Sequence, residues 1–334
     1  MDRFARTKQN PYFATDASVG MAEARSETAP ALVAENVRKR YGDTVALDGV
    51  SLSIPEGEVF GLVGPNGAGK TTLVRSLTGT TRCDGEIRVL GASPSKVEAD
   101  RVGLLPQSFH PADRLSAREL IEYYAGLYDD PRSVDGVLDD VGLAADADTW
   151  YENLSGGQQR RACVGTALVN DPDVLFLDEP TTGIDPAGRR SLWSLVEDLA
   201  AGGTTVILTS HSMDEVERLA DRVGLLRDGE LVAVGSPETL IETHAGDSHL
   251  RIEGRAVDAE AVAAALDATV EERDGDVVVR NVALADVGRV VADVEAAGVD
   301  VESFTWSEPN LEDVYLRLTG DALDETVAEL GGER

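Results

Sequence analysis

The sequence is short of lysine. It has only Lys8, Lys39, Lys70 and Lys96 against 61 acidic residues, and its formal net charge is −31. Such an acidic chain is unsuited to sequence-independent nucleic-acid binding, which requires neutralised phosphates, so we expect no nucleic-acid partner. It suits concentrated salt, where self-repulsion is screened within a few ångströms. We therefore predict an extreme halophile as the source, and the alternative is an unusually acidic protein from an ordinary cell.

Cysteines and long apolar runs are also scarce. Cys83 and Cys163 are too few for a disulfide framework and lack metal-ligand spacing, so both are expected to be small core residues. No apolar run approaches a membrane span, and runs such as DVLFLDEP have the length of strands. The N-terminus lacks the apolar segment of a signal peptide. Residues 1–30 are predicted to be a disordered extension, with Met1 and Met21 as alternative starts.

Apolar strands alternate with amphipathic segments from about residue 31. This alternation is typical of an α/β fold with a parallel sheet covered on both faces. A strongly helical stretch, at about residues 113–165, is predicted to be inserted beside that sheet. The composition shifts near Gly235. Residues 241–334 have the β-α-β-β-α-β order of a ferredoxin-like α+β domain, and a last helix in NLEDVYLRL is expected to close it.

The strand EVFGLVG runs directly into the glycine-rich loop GPNGAGKTT. The pattern G-x-x-x-x-G-K-T between a buried strand and a helix predicts a phosphate-binding loop rather than a simple turn. Its N–H groups would wrap the β-phosphate, Lys70 would pair with the β- and γ-phosphates, and the Thr71 hydroxyl would bind Mg²⁺. The predicted nucleotide-binding residues of this loop are Gly64, Pro65, Asn66, Gly67, Ala68, Gly69, Lys70, Thr71 and Thr72.

Polar residues end two further apolar strands. In VLFLDEP, Asp178 suits Mg²⁺, and Glu179 suits a general base that activates water. An acidic turn is the alternative, but the upstream phosphate loop favours the functional interpretation. TTVILTSH ends on His211, which would lie near a γ-phosphate if its strand neighbours that of Asp178. Ser212 and Glu215 are expected to form a capping box for the next helix.

The stretch LSGGQQRR, residues 154–161, begins a helix with two consecutive glycines. Ser155 and Gln158 have the spacing of a capping box, but this explains neither Gly156 nor Gly157. Bare backbone N–H groups at a helix N-terminus suit the approach of an anion. We therefore interpret this helix start as a second phosphate-binding feature.

The ordered set of the phosphate loop, LSGGQQRR, VLFLDEP, GIDP and TSH resembles the ATP-binding subunit of an ABC transporter over about residues 31–240. The resemblance implies a P-loop NTPase of the ABC type, with a parallel-sheet core, an antiparallel β subdomain and the inserted helical subdomain. It also implies three roles that the residues alone do not show. Gln107 would sense Mg²⁺ and the attacking water, Tyr41 would stack on adenine, and Asp185 would lie in a loop between two ATP sites.

The same resemblance implies an assembly. Two copies, or two close paralogues, would pack head to tail, with each ATP between the phosphate loop of one subunit and Ser155, Gly156 and Gly157 of the other. Hydrolysis would drive a separate integral membrane permease, which would hold the chain at the cytoplasmic face of the cell membrane. An ABC-type ATPase without a transporter is the alternative. A nucleotide-binding module without turnover is a third reading, against which Glu179 argues.

The C-terminal part resembles the extension of ABC-2-type drug-export ATPases, and EPNLEDVYLRLTG is its most telling segment. This resemblance implies export rather than import. A structural addition that aids dimerisation and a substrate sensor both remain open as roles for this domain.

Overall fold

The computed structural model describes residues 30–254, 257–266, 268, 270–273, 276–299 and 301–320. Residues 1–29, and with them the choice between Met1 and Met21, lie outside this part of the chain. The strands are β1 (Pro30–Tyr41), β2 (Thr44–Pro55), β3 (Val59–Val63), β4 (Asp84–Val89), β5 (Val102–Leu105), β6 (Val174–Asp178), β7 (Thr205–Ser210), β8 (Arg222–Arg227), β9 (Glu230–Gly235), β10 (His249–Glu253), β11 (Val270–Arg273), β12 (Asp276–Arg280) and β13 (Ser303–Ser307).

The α-helices are shorter than a membrane span throughout the described ranges. None of the helices there is long and apolar enough to cross a bilayer. The helices are α1 (Lys70–Leu77), α2 (Ala117–Ala125), α3 (Val134–Asp140), α4 (Gly156–Thr166), α5 (Pro186–Ala201), α6 (Met213–Leu219), α7 (Pro237–Leu240), α8 (Ala259–Leu266), α9 (Val287–Ala296) and α10 (Leu311–Thr319).

A six-stranded sheet of order β5-β6-β7-β3-β8-β9 forms the centre of the molecule. Its strands are parallel except β9, which is antiparallel to β8. β3, β6 and β7 are buried along their whole length, as fully apolar strands between two covered faces should be. Because parallel strands end at the same edge, the phosphate loop, Asp178 and His211 follow neighbouring strands at one edge of the sheet. The predicted parallel core is confirmed.

Alternate residues of β6 belong to the two cores of this sheet. Leu175 and Leu177 pack in the core covered by α2 to α6. Val174 and Phe176 pack on the other face, in a core shared with α1 and the antiparallel sheet β2-β1-β4. This alternation follows from the period of two residues along a strand. The helical and antiparallel layers expected beside the central sheet therefore lie on its opposite faces.

The C-terminal strands form a separate antiparallel sheet of order β11-β12-β10-β13. With α8 and α9 between the strands, this is the predicted ferredoxin-like order, and the unit has its own apolar core. We call this part, from β10 to β13, the accessory unit.

The last helix of the described residues, α10, does not close the accessory unit as expected. Its residues Leu311, Val314 and Tyr315 are buried in the core that also contains Met213 and Leu240. The N–H of Leu311 also donates to Oε2 of Glu217 on α6 at 3.0 Å. Its apolar face therefore covers the ATP-binding part of the chain. The predicted boundary at residue 240 between the ATP-binding domain and the C-terminal domain stays a prediction. α10 follows this boundary in the sequence but packs on the ATP-binding domain.

Candidate functional site

The glycine-rich loop joins β3 to α1 and requires glycine where the backbone is tightest. Gly69, the N-cap residue of α1, has a φ of 110°, and a Cβ there would lie 2.5 Å from the carbonyl oxygen of Ala46. A Cβ on Gly64 would collide with the carbonyl oxygen of Leu226. Because Gly69 has no side chain to cap α1, the N–H groups of its first turn are open to an anion. Phosphate binding by residues 64–72 stays a prediction, which the tight loop and the open N–H groups of α1 support.

Lys70 is buried under the loop, with 5 % of its surface exposed. Its Nζ donates to the carbonyl oxygens of Gly64 at 2.7 Å and Pro65 at 3.2 Å, and lies 3.7 Å from Oε1 of Glu179. Burial lowers the pKa of Lys70, while the carboxylates of Glu179 and Asp178 oppose that shift. The ammonium thus lies among two loop carbonyl oxygens and one carboxylate, and phosphate oxygens can replace the carbonyl partners.

Asp178 lies next to the hydroxyl of Thr71. Its Oδ1 accepts hydrogen bonds from Thr71 Oγ1 at 3.3 Å and from Thr209 Oγ1 at 2.6 Å. The Thr209 hydroxyl also accepts from the N–H of Glu179 at 2.9 Å, so one side chain of β7 orients both acidic residues. Sequence reasoning missed Thr209. Its register opposite Asp178 in the parallel pair is the signal that locates it.

Glu179 brings together the residues predicted to be catalytic. It is 7 % exposed and has a left-handed φ of 48°. Its Oε2 accepts from Gln107 Nε2 at 2.9 Å and Thr182 Oγ1 at 3.2 Å, and lies 3.9 Å from His211 Nδ1. Gln107, Glu179 and His211 thus converge from three separate segments. Their catalytic roles stay predictions, and Thr182 was not foreseen.

Arg160 connects α4 to the turn at Glu179. Its Nε donates to the carbonyl oxygen of Pro180 at 2.7 Å, and its Nη2 donates to those of Asp178 at 3.1 Å and Glu179 at 3.0 Å. Burial lowers the pKa of this guanidinium. Arg160 therefore satisfies the carbonyls of the left-handed turn. No sequence pattern indicated this role, because its partners are main-chain atoms.

The start of α4 has the predicted capping box. Ser155 Oγ accepts from the N–H of Gln158 at 3.3 Å, and Gln158 Oε1 accepts from the N–H of Ser155 at 2.9 Å. Gly157 is buried, and a Cβ there would lie 3.0 Å from Cα of Gly188, so close packing against α5 explains this glycine within the subunit. Gly156 is exposed, and a Cβ there would meet no atom closer than 3.7 Å. Gly156 is therefore the glycine without a local explanation.

Two residues assigned by resemblance, Tyr41 and Asp185, lie at the surface. Asp185 caps α5 and accepts from the N–H of Gly188 at 3.1 Å. Tyr41 ends β1 with 48 % of its surface exposed, and Lys39 Nζ lies 4.9 Å from the centre of its ring. The hairpin of β1 and β2 approaches the loop at Ala46, beside Gly69. An exposed ring here could stack on a base, and both assignments stay predictions.

The expected capping box at α6 is wrong. Ser212 makes no side-chain cap, and Glu215 is turned inward with 1 % exposed. Its carboxylate accepts hydrogen bonds from Thr181, Ser210 and Trp193 instead. Three buried donors satisfy this carboxylate better than the single N–H that a capping box offers.

Comparison with known proteins assigns this site to a family. A family model described as ABC transporter matches residues 47–182. The chain is 36 % identical over 311 residues to the linearmycin resistance ATP-binding protein of Bacillus subtilis, covering 87 % of this chain and 99 % of that protein. It is 38 % identical over 297 residues to the Nod factor export ATP-binding protein I of Rhizobium meliloti, covering 86 % of this chain and 88 % of that protein.

Solved structures give the same assignment. An ATP-binding cassette of an ABC transporter in its ADP conformation superimposes with a TM-score of 0.57 at 27 % identity, covering 64 % of this chain and 93 % of the other. A nucleotide-free cassette gives 0.58 at 26 % identity, covering 64 % and 94 %. The chain therefore belongs to the ATP-binding subunits of ABC transporters, the ATPases that couple ATP hydrolysis to transport.

Proposed function

We propose that this chain hydrolyses ATP to drive export through a separate integral membrane subunit. The observation that carries the proposal is the convergence of Lys70, Glu179 and His211 at one sheet edge, in a chain similar over most of its length to an export ATP-binding protein. A daunorubicin resistance ATP-binding protein of Streptomyces coeruleorubidus is also 36 % identical over 304 residues, covering 87 % of this chain and 96 % of that protein. The alternative, an ABC-type ATPase without a transporter, has no observation in its favour.

In this function the loop residues bind the triphosphate, and Lys70 exchanges its carbonyl partners for phosphate oxygens. The carboxylate of Glu179 orients the attacking water and accepts its proton. Gln107 and His211 both lie at Oε2 of that carboxylate, where the amide would contact the water and the imidazole would contact the γ-phosphate. Buried hydrogen bonds fix Glu179 before the substrate arrives, which favours catalysis.

The oxygen ligands that Mg²⁺ prefers lie close together at the end of β6. The Thr71 hydroxyl and the Asp178 carboxylate are hard oxygen donors that already contact each other. Mg²⁺ is usually bound through one or two such groups, with phosphate oxygens and waters as its other ligands. The Nε2 group of Gln107 donates a hydrogen bond to Glu179, so the amide oxygen of Gln107 can act as a further ligand of Mg²⁺. When bound, Mg²⁺ neutralises charge on the β- and γ-phosphates.

We further propose that two copies, or this chain and a close paralogue, sandwich ATP head to tail. The exposed helix start at Gly156, which has no use within its own subunit, supports this arrangement. Tyr123 on α2 and Leu127 just after that helix are 63 % and 64 % exposed, which supports docking of the helical subdomain on the membrane subunit. That subunit would hold the chain at the cytoplasmic face of the membrane.

Purification from native membranes tests the proposal. We expect the chain to remain on washed membranes, to copurify with a polytopic membrane protein, and to hydrolyse ATP faster in proteoliposomes when the exported compound is supplied. Recovery of the active ATPase entirely without a membrane partner would contradict export and leave the ATPase assignment intact.

The acidic surface predicts a dependence on salt. With 61 acidic and 30 basic residues, the folded chain repels itself. We expect the Tm to rise as KCl increases from about 0.15 M to about 1 M, because the screening length falls from about 8 Å to about 3 Å. Sucrose of equal osmolarity is the control for solute exclusion. An unchanged Tm in KCl, or an equal rise in sucrose, would contradict adaptation to high salt.

A further inference from the structure

Glu215 is a buried carboxylate to which the proposed function assigns no role. It lies on α6, four positions after His211, with 1 % of its surface exposed. Its Oε2 accepts hydrogen bonds from Ser210 Oγ at 2.6 Å and from Thr181 Oγ1 at 2.9 Å. Its Oε1 accepts from Trp193 Nε1 at 3.0 Å. One side chain thus receives donors from three segments.

Each of these donors lies in a different segment of the chain, and two of the segments carry Glu179 or His211. Thr181 lies two residues after Glu179, in the turn that carries the proposed base. Ser210 precedes His211, and its Oγ also accepts from the N–H of Ser212 at 3.0 Å, which defines the turn around the imidazole. Trp193 lies on α5, the helix that Asp185 caps.

We propose that Glu215 is a positioning residue that holds Glu179 and His211 in register with each other and with the segment of Asp185. The inference rests on the roles proposed for Glu179 and His211. His211 is half exposed, and its imidazole lies 3.9 Å from Glu179, so the backbone turn that carries it decides where it points. The hydrogen bond from Ser210 to Glu215 fixes that turn.

A cavity beside Glu215 makes these hydrogen bonds more important. It has a volume of about 100 Å³, and its lining includes Thr181, Thr182, His211 and Glu215. Close packing therefore does not confine the His211 turn on this side. Hydrogen bonds to the carboxylate supply the restraint that packing would otherwise give.

The three donors explain why a carboxylate is needed. An ionised carboxylate only accepts, and its two oxygens have room for all three hydrogen bonds. A glutamine can place its oxygen on Trp193 and its NH₂ group on Ser210 and Thr181, but only by reversing the two hydroxyl hydrogen bonds, so that both hydroxyl hydrogens lose their acceptor. The Glu215→Gln substitution therefore replaces charge-assisted hydrogen bonds with weaker neutral ones and leaves two buried hydroxyl hydrogens without this partner, while the size of the side chain stays the same. α6 itself stays anchored through its buried residues Val216 and Leu219.

The test compares Glu215→Gln with Asp214→Asn in the full-length chain. Asp214 is the exposed neighbour on α6 and undergoes the same chemical change. For Glu215→Gln we expect kcat for ATP hydrolysis to fall about tenfold to a hundredfold, the range for losing a charge-assisted hydrogen bond. The Kd for MgATP should stay unchanged. Asp214→Asn should hydrolyse ATP like the wild type.

Substitutions of the donors show whether the effect passes through these hydrogen bonds. Ser210→Ala and Thr181→Val should each lower kcat in the wild-type background and much less in the Glu215→Gln background. Their single effects also carry the test if Glu215→Gln does not fold. An unchanged kcat in these variants, or parallel losses of kcat, ATP affinity and Tm, would overturn the proposal. Loss of export with this kinetic pattern intact would affect only the proposed function.

Discussion

Replacing Glu179 by glutamine is expected to stop ATP hydrolysis and to leave ATP binding intact. Glutamine has the same shape and can keep one contact to Gln107 or Thr182, but it cannot accept a proton from water. Lys70 loses the carboxylate 3.7 Å away but keeps its loop carbonyl partners, so the triphosphate still binds. We expect kcat to fall by about 10²–10⁴, the usual contribution of a general base.

Steady-state hydrolysis, fluorescent-nucleotide binding and size-exclusion chromatography with ATP measure these effects. The variant should accumulate as an ATP-bound dimer, because the step that releases the dimer is blocked. Glu197→Gln, on the exposed face of α5, is the matched control and should behave as the wild type. Undiminished hydrolysis in Glu179→Gln would exclude the role of general base.

The second large effect is expected for Gly156→Asp. An aspartate at the first position of α4 meets no steric obstacle, and a negative charge there favours the helix dipole of its own subunit. Across a head-to-tail interface the same charge would face the triphosphate of the partner. Two unit charges 4 Å apart repel by about 4 kcal/mol at an effective dielectric constant of 20. Dimer-dependent hydrolysis should therefore fall by about a hundredfold or more.

The Gly156→Asp substitution should lower activity without lowering stability. The Tm and the affinity of the isolated subunit for ATP should be preserved, while cooperative hydrolysis is lost. Gly156→Asn, which has nearly the same shape and no charge, should retain more activity than Gly156→Asp. Weakened ATP binding in the isolated subunit would argue against the interface. Gly157 is less suited to the test, because a side chain there also disturbs the packing against Gly188.

Functional motifs whose residues lie close together along the chain could be predicted from the sequence. Fully apolar strands predicted the parallel sheet, and polar residues directly after them predicted the edge where Asp178 and His211 meet. The capping box at Ser155 was also predictable, because its partners lie three residues apart. Periodicity likewise predicted the strands and helices of the accessory unit.

Residues whose partners are distant along the chain could not be predicted. Thr209 orients Asp178 and Glu179 from a neighbouring strand. Arg160 contacts main-chain carbonyl oxygens, which every residue type has, so the sequence does not indicate them. Ser212 and Glu215 have capping-box spacing, but tertiary donors satisfy Glu215. The amphipathic pattern of α10 predicts a buried face and does not say which core buries it.

The accessory unit has a further consequence for how chains of this kind can evolve. β10, where the chain enters the unit, and β13, where it leaves, are paired neighbours, with His249 opposite Ser307. Because α10 then returns to the ATPase core, the unit lies between two helices, α7 and α10, that both pack in that core. An insertion whose two ends lie side by side can be lost, exchanged or enlarged with little effect on its host. Such a unit can therefore diversify while α10 stays with the ATPase core.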